Sequence, residues 1–227
     1  MSLPARPLRA VCFDLDGTMF NTEEIYWDVG HTLLTRRGKQ VTRALLDQMM
    51  GRPSRVALQI MIDFHGLNAT VPELQAETTT IFTSLLDTRL ALMPGLSALL
   101  DAIEAAGLPK AIATSSHRAY LDDVLARFQL TDRFAFALTG DDVQDGKPHP
   151  EIYLAAAQRL NVSPAEMLVL EDSENGCKAA IAAGAFTVAV PGDHSRQHNF
   201  SGVAFEADSL RDARIYAALQ LPWPDPR

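Results

Sequence analysis

The sequence predicts an α/β fold in which a parallel sheet with helices on both faces carries an inserted all-helical segment. Short apolar runs typical of buried strands alternate with helical segments from about residue 93 onward. Residues 21–90 have helical spacing of apolar side chains instead. Polar or acidic groups follow three of the strands. We therefore expect a core domain of residues 1–20 and 91–227 and a helical domain of residues 21–90.

The first predicted strand, Ala10 to Phe13, runs into the sequence DLDGT at residues 14–18. Alternation along an extended segment places Asp14 and Asp16 on the same side, where their charges repel each other. A cation, a proton or a lysine from elsewhere in the chain would compensate them. The alternative is that the pair forms an Asx turn or caps the next helix.

Residues 22–90 are predicted to form roughly four helices. Apolar side chains recur at helical spacing, for example at Ile25, Val29 and Leu33, and breaks occur at Gly38 and Gly66. No run of β-branched residues in this segment is long enough to predict a strand. The segment is therefore interpreted as a helical insert after the first strand.

The remainder of the chain is predicted to alternate between helices and strands. The first helix opens at Pro94 and Gly95 and ends before Gly107, because glycine commonly ends helices. Further strands are predicted at residues 110–113, 134–138, 167–170, 186–190 and, at the edge, 203–205, with helices near 121–128, 151–160 and 178–183. Such βαβ units form parallel sheets with right-handed crossovers.

Three of the predicted strands end in polar or acidic groups. Asp14 and Asp16 follow the first strand, residues 114–116 follow the second, and Glu171 and Asp172 follow the fourth. Ligands of open parallel sheets bind at the carboxyl ends of the strands, near the switch in strand order. We therefore expect these side chains to converge at one edge of the sheet.

The composition is that of an ordinary globular protein of 227 residues, 47% of them hydrophobic. The net charge of −8 is spread along the chain, which argues against binding to nucleic acid or to an anionic membrane. Cys12 and Cys177 form no disulfide framework, and we expect both to be reduced core residues. Residues 1–7 show no apolar segment typical of a signal peptide, and no 18 apolar residues follow one another in the sequence. We expect a cytoplasmic monomer.

Four motifs occur in an order known from one superfamily: DLDGT at 14–18, AIAT at 111–114, GKPHP at 146–150 and EDSENG at 171–176. Each motif is weak alone, but together and in order they are specific, and Lys147 is a scarce residue type in this chain. Over essentially its whole length the chain resembles the haloacid dehalogenase (HAD) superfamily. It is most similar there to the β-phosphoglucomutase-like and sugar-phosphate phosphatase group, which has a Rossmann-like core and a helical C1 cap.

The resemblance implies a Mg²⁺ site, because all the expected ligands are hard oxygens. The Asp14 carboxylate, the Asp16 backbone carbonyl and the Asp172 carboxylate would hold the ion, with Glu171 nearby. Lys147 would neutralise further charge on Asp14 and on the phosphoryl oxygens.

Substrate phosphate would be bound by the Thr114 hydroxyl and by the backbone N–H groups of Ser115 and Ser116. Asp14 would attack phosphorus and become an aspartyl phosphate, while Asp16 would act first as general acid and then as general base. Members that cleave carbon–halogen bonds lack the second aspartate, so the chain resembles the phosphatase and phosphomutase branch.

The sequence GRPSR at residues 51–55 resembles the cap turn of this group, with Arg55 as the first candidate for a distal substrate contact and Arg52 as the second. The alternative for either arginine is an exposed helix residue. The leading hypothesis is a Mg²⁺-dependent phosphatase for a small phosphorylated metabolite, and a β-phosphoglucomutase-type phosphomutase is the alternative. A non-catalytic HAD-like binding module is a third hypothesis, but such a protein would be expected to lack one of the four motif residues.

Overall fold

The computed structural model describes residues 4–49 and 54–224. The chain divides into two compact units, Met1–Asn21 with Leu92–Arg227, and Thr22–Ala91. We call them the core unit and the helical unit and describe each by itself. The domain limits expected from the sequence stay predictions.

The core unit contains one parallel sheet. Its strands are β1 (Ala10–Phe13), β2 (Lys110–Ala113), β3 (Phe136–Leu138), β4 (Met167–Glu171), β5 (Phe186–Ala189) and β6 (Phe205–Glu206). Their order is β3-β2-β1-β4-β5-β6, and every pairing is parallel. The predicted α/β fold with a parallel sheet is confirmed. The strand order reverses between β1 and β4, which is where such sheets bind ligands.

Helices of at least six residues in the described parts of the chain fall into two groups. The helical unit contains α1 (Thr22–Thr35), α2 (Arg43–Met49), α3 (Ser54–His65) and α4 (Val71–Arg89). The core unit contains α5 (Leu96–Ala105), α6 (Arg118–Arg127), α7 (Glu151–Arg159), α8 (Glu174–Ala182) and α9 (Ala213–Ala218). None of the helices in these residues has the length and apolar character needed to cross a membrane.

The central strand β1 is buried on both faces, because none of its four side chains is exposed. Ala10 and Cys12 lie on one face and pack in a cluster with small residues of two helices, namely Ala156 and Ala157 of α7 and Ala179 and Ala180 of α8. Small side chains let these helices approach the sheet closely, and the helices fix the loops at its carboxyl edge. Burial also raises the pKa of the Cys12 thiol to about 12, so it stays protonated.

The helical unit follows the predicted spacing. Ile25, Val29 and Leu33 of α1 are all buried, as expected for one face of an amphipathic helix. Thr70 and Glu73 form a capping box at the start of α4, which satisfies backbone N–H groups there.

Several details differ from the sequence predictions, and one is that α8 begins at Glu174 rather than near 178. The third strand begins at Phe136 rather than 134, although the Phe134 backbone is extended and its ring packs edge-on against Phe13. The edge strand lies at Phe205–Glu206 rather than 203–205. The sequence interpretation missed helix α9, which Asp212 caps by accepting a hydrogen bond from the Arg214 backbone N–H.

Candidate active site

The carboxyl ends of β1, β2 and β4 lie side by side in the core unit. Phe13, the last residue of β1, is paired with Ile112 on one side and with Leu170 on the other. Asp14 therefore emerges between the end of β2 and Glu171, and its backbone N–H donates to the Leu170 carbonyl at 2.9 Å. The sheet register thus brings together the strand ends that carry polar groups.

Lys147 reaches this edge from the loop before α7 and makes three hydrogen bonds. Its Nζ donates to Asp14 Oδ1 at 2.5 Å, to Glu171 Oε1 at 2.8 Å and to the Ala113 carbonyl at 2.9 Å. Burial alone would lower the pKa of Lys147, but the two carboxylates outweigh burial and raise it. Lys147 is therefore a charged ammonium whose three donors are all used.

Asp14 is almost completely buried, and burial raises its pKa well above the usual range. Lys147 opposes this shift, while Glu171 and Asp16 add to it. The anionic form of Asp14 consequently depends on positive charge close to the carboxylate. This is the compensation that two neighbouring carboxylates at a strand end require.

Glu171 is fully buried and accepts four hydrogen bonds. Oε1 accepts from Lys147 and from the Tyr153 hydroxyl at 3.0 Å. Oε2 accepts from the backbone N–H and the hydroxyl of Ser173, both at 2.9 Å. Since a carboxylate has about four acceptor positions, this network is well suited to holding Lys147 in place.

Asp14, Glu171 and Asp172 form a buried acidic cluster, with one oxygen of each within 4.8 Å of the others. Three carboxylates match the oxygen ligands that hard divalent cations prefer. The backbone of Gly17 lies so close to the cluster that a Cβ on this residue would be 2.3 Å from Asp172 Oδ2. Gly17 also has φ of +77°, so a side chain is disfavoured for two reasons. The residues present therefore fit a divalent metal ion.

Asp16 is held by two hydroxyl groups of the core unit. Ser116 Oγ donates to Asp16 Oδ2 at 2.6 Å, and the Tyr120 hydroxyl donates to Oδ1 at 3.0 Å. Asp16 is only partly buried, in contrast to Asp14. The two aspartates of the first motif thus have different environments, one paired with an ammonium and the other with hydroxyl groups.

The turn after β2 brings its hydroxyl residues to the same edge. Thr114 is buried, and its Oγ1 accepts a hydrogen bond from the Ser116 backbone N–H at 3.0 Å. Ser115 is exposed. The Ser116 carbonyl accepts from the Gly140 backbone N–H at 3.1 Å, which ties this turn to the segment after β3.

The two arginines expected from the cap turn are Arg55 and Arg52. Arg55 is an exposed residue of α3 and lines a groove of about 580 Å³ within the helical unit, together with apolar residues such as Val56 and Ile62. Arg52 lies outside the described residues. Contact of either arginine with substrate stays a prediction.

Sequence reasoning missed three residues that hold the site together. Tyr153 lies on the buried face of α7, where its spacing is that of a core residue. Ser173 lies in the fourth motif without an assigned role, and its side chain caps α8 by accepting a hydrogen bond from the Gly176 backbone N–H. Tyr120 lies in the first turn of α6, shortly after the second motif. A tyrosine so close to a motif was the sequence signal that could have indicated a hydroxyl group at the site.

Comparison with known proteins places the chain in a family. Residues 11–190 match the haloacid dehalogenase-like hydrolases. A phosphorylated carbohydrates phosphatase from Thermotoga maritima is 33% identical over 78% of this chain and 82% of its own length. A bifunctional riboflavin kinase/FMN phosphatase from Arabidopsis thaliana is 31% identical over 90% of this chain, which spans only 54% of that protein.

A crystal structure of a HAD family hydrolase from Deinococcus radiodurans R1, with bound phosphate and sodium, has the same fold. The TM-score is 0.82 at 29% identity, and the match covers 96% of this chain and 99% of that chain. The family generally uses a divalent metal ion, and a buried acidic cluster that fits one lies at the switch point of this sheet. The chain therefore belongs to the haloacid dehalogenase-like hydrolases and is a phosphoric monoester hydrolase.

Proposed function

We propose that the protein is a Mg²⁺-dependent phosphatase that hydrolyses a small phosphorylated metabolite, a sugar phosphate or related compound, through an aspartyl phosphate on Asp14. The main support for this proposal is the buried ion pair between Lys147 and Asp14, which lies beside Asp172. Asp16 is held separately, by two hydroxyl groups. This arrangement gives two neighbouring aspartates the two environments that a nucleophile and a proton-transfer group need.

In the first step, an Asp14 carboxylate oxygen forms a bond to phosphorus, and the bond from phosphorus to the leaving oxygen breaks. Asp16 gives its proton to that oxygen, so the leaving group departs as a neutral alcohol. Lys147 keeps its proton and lowers the repulsion between Asp14 and the phosphate dianion. The Thr114 hydroxyl and the backbone N–H groups near Ser115 bind the phosphoryl oxygens.

In the second step, water attacks the phosphorus of the aspartyl phosphate and the bond to Asp14 breaks. Asp16, now a carboxylate, takes a proton from the water, which restores both aspartates. Asp14, Asp172 and the Asp16 backbone carbonyl would hold Mg²⁺, with Glu171 close by and fixing Lys147. Bound there, Mg²⁺ supplies charge neutralisation for the phosphate.

A sugar phosphate is the proposed substrate class because a relative that the chain matches over most of its length is a phosphorylated carbohydrates phosphatase. Arg55 is the first candidate and Arg52 the second for contact with the distal part of such a substrate. The monomeric state and the cytoplasmic location expected from the sequence stay predictions.

The test is a phosphate-release screen with Mg²⁺ over sugar phosphates, nucleotides and phosphoglycolate, with p-nitrophenyl phosphate as a substrate that lacks a distal group. We expect preference for one sugar phosphate, and Arg55→Ala should reduce kcat/KM for that substrate far more than for p-nitrophenyl phosphate. Equal losses of kcat/KM for the sugar phosphate and for p-nitrophenyl phosphate would indicate that Arg55 has a structural role. Formation of glucose 6-phosphate from β-glucose 1-phosphate, without phosphate release, would make the protein a phosphomutase instead.

A further inference from the structure

Both carboxylate oxygens of Asp16 accept a hydrogen bond from a hydroxyl group. The shorter bond, from Ser116 Oγ, comes from the turn of the second motif. The other comes from Tyr120, whose hydroxyl lies 3.0 Å from Asp16 Oδ1 although the two residues are 104 positions apart. Tyr120 is the third residue of α6 and belongs to none of the four motifs.

The start of α6 is fixed to β3 and to the segment that follows it. His117 Nδ1 lies 2.8 Å from Asp141 Oδ1, and the Arg118 backbone N–H donates to Asp141 Oδ2 at 2.9 Å. The Arg118 guanidinium donates to the Ala137 carbonyl at 2.9 Å and to Asp142 Oδ2 at 2.8 Å. The polar contacts of His117 and Arg118 therefore fix the first turn of α6, and with it the position of the Tyr120 ring.

The backbone of Asp16 makes an isolated bridge with Phe20, but the hydrogen bonds to its side chain come from residues 100 and 104 positions away. Asp16 lies beyond the last residue of β1, its neighbour Gly17 has φ of +77°, and its side chain is only partly buried. A carboxylate in such a loop can rotate about two side-chain bonds unless partners hold it. Two hydroxyl donors on opposite oxygens restrict both rotations, which is how a proton-transfer group is kept in one orientation.

We propose that Tyr120 is a positioning residue for the reaction, whose hydroxyl orients Asp16 for proton transfer to the leaving oxygen and, later, from water. This inference rests on the proposed function, in which Asp16 is the general acid and base. Tyr120 keeps its own proton throughout, so its hydroxyl takes part in no bond change.

The test is Tyr120→Phe, which removes the hydroxyl and keeps the ring. Phenyl phosphate and p-nitrophenyl phosphate serve as probes, because they are similar in shape but p-nitrophenolate leaves with little help from an acid. We expect kcat/KM for phenyl phosphate to fall by about ten- to a hundredfold, as for loss of a hydrogen bond to a charged group. The loss for p-nitrophenyl phosphate should be only a few-fold.

Tyr216→Phe is the matched control, because the Tyr216 hydroxyl is buried in the core unit and has no hydrogen-bond partner among the described residues. It should leave the ratio of the two kcat/KM values unchanged, and both variants should keep the thermal midpoint within a few degrees of the parent protein. Equal losses on both probes for Tyr120→Phe, or no loss beyond that of the control, would overturn the assignment of Tyr120.

Asp16→Asn separates this inference from the proposed function. If Asp16→Asn reduces kcat/KM for phenyl phosphate selectively and Tyr120→Phe does not, the positioning role is wrong and the function stands. If Asp16→Asn itself shows no selectivity, the role of Asp16 as general acid is wrong. The double variant should lose little more than Asp16→Asn alone, because a positioning residue acts only through its partner.

Discussion

Lys147 Nζ lies 2.5 Å from Asp14 Oδ1, although 133 residues separate the two in the chain. Both side chains are at most 10% exposed, as is Glu171, the second carboxylate partner of Lys147. A buried cation between two buried carboxylates is a cluster in which each charge depends on the others.

Replacement of Lys147 should therefore affect stability as well as activity. Lys147→Met leaves two carboxylates buried without their cation, and we expect the free energy of unfolding of metal-free protein to fall by about 3–5 kcal/mol. Phosphatase activity should be lost. Chemical denaturation and a phosphate-release assay provide the two measurements.

Lys178→Met is the control, because Lys178 makes an exposed pair with Glu174 one helical turn away. It should cost about 0.5 kcal/mol or less. A similar cost for both variants would show that the Lys147 cluster is not energetically distinct from a surface pair.

The acidic cluster should make activity dependent on a divalent cation, and Mg²⁺ should restore it best after chelation. Asp172→Asn should raise the Mg²⁺ concentration for half-maximal rate by at least about tenfold. Replacing a residue that only contacts a metal ligand already lowers metal affinity by about that factor. Asp193→Asn, at a carboxylate whose side chain is 87% exposed, should not change it. Full turnover in excess chelator would remove the metal from the mechanism.

Asp14 and Asp16 should give different defects when each is replaced by asparagine. Asp14→Asn should abolish turnover and phosphoenzyme, because an amide does not attack phosphorus. Asp16→Asn should still form the phosphoenzyme from p-nitrophenyl phosphate but hydrolyse it slowly, because water activation needs the missing base. A burst of p-nitrophenol and an added mass removed by hydroxylamine would report this. Comparable residual hydrolysis in both variants, with no trapped phosphate, would contradict these roles.

Gly176 leaves room for the carboxylate of Glu171. A Cβ at this position would lie 1.5 Å from Glu171 Oε1, and the four hydrogen bonds of Glu171 oppose its displacement. Gly176→Ala should therefore lower both thermal stability and kcat, although alanine favours a helix by about 1 kcal/mol over glycine.

Gly30→Ala in α1 is the matched control, because a Cβ there would meet no atom of the described residues within 4 Å. It should raise stability by up to about 1 kcal/mol through helix propensity alone. An unchanged kcat in Gly176→Ala would mean that Glu171 can move without consequence for Lys147.

Glu104 should contribute to the stability of the core unit in a pH-dependent way. Hydrogen bonds from Arg133, and then from Lys110, lower its pKa to about 2 despite partial burial. A lowered pKa in the folded state stabilises the protein above the unfolded value near 4.5, and this contribution is lost as the pH falls toward about 2.

Urea denaturation of the parent protein and Glu104→Gln at several pH values tests this. The parent should be more stable at pH 7, and the difference should shrink below a pH of about 4.5. If the difference in unfolding free energy between the two proteins stays constant down to the pH of acid unfolding, Glu104→Gln destabilises the protein through lost packing instead of lost charge.

Much of the fold could be predicted from the sequence, because its signals are local. Strands β1, β2, β4 and β5 coincide with short apolar runs, and α1 shows the spacing of its buried face directly. Strand ends also mark the edge where functional groups gather, so the strand pattern alone was enough to place Asp14, Glu171 and Asp172 near one another. The short helix α9 was not predicted, because six residues contain too few turns to show a helical spacing of apolar side chains.

The tertiary structure decided the choice of partners within the site. The sequence by itself determined which strand ends carry carboxylates, and the family resemblance supplied the pairing of Lys147 with Asp14. Neither indicated that Tyr153 donates to Glu171 or that Tyr120 donates to Asp16. The reason is physical: a tyrosine on a helix face has the periodicity of a core residue, and only the packing of that helix against the sheet determines which atom its hydroxyl reaches.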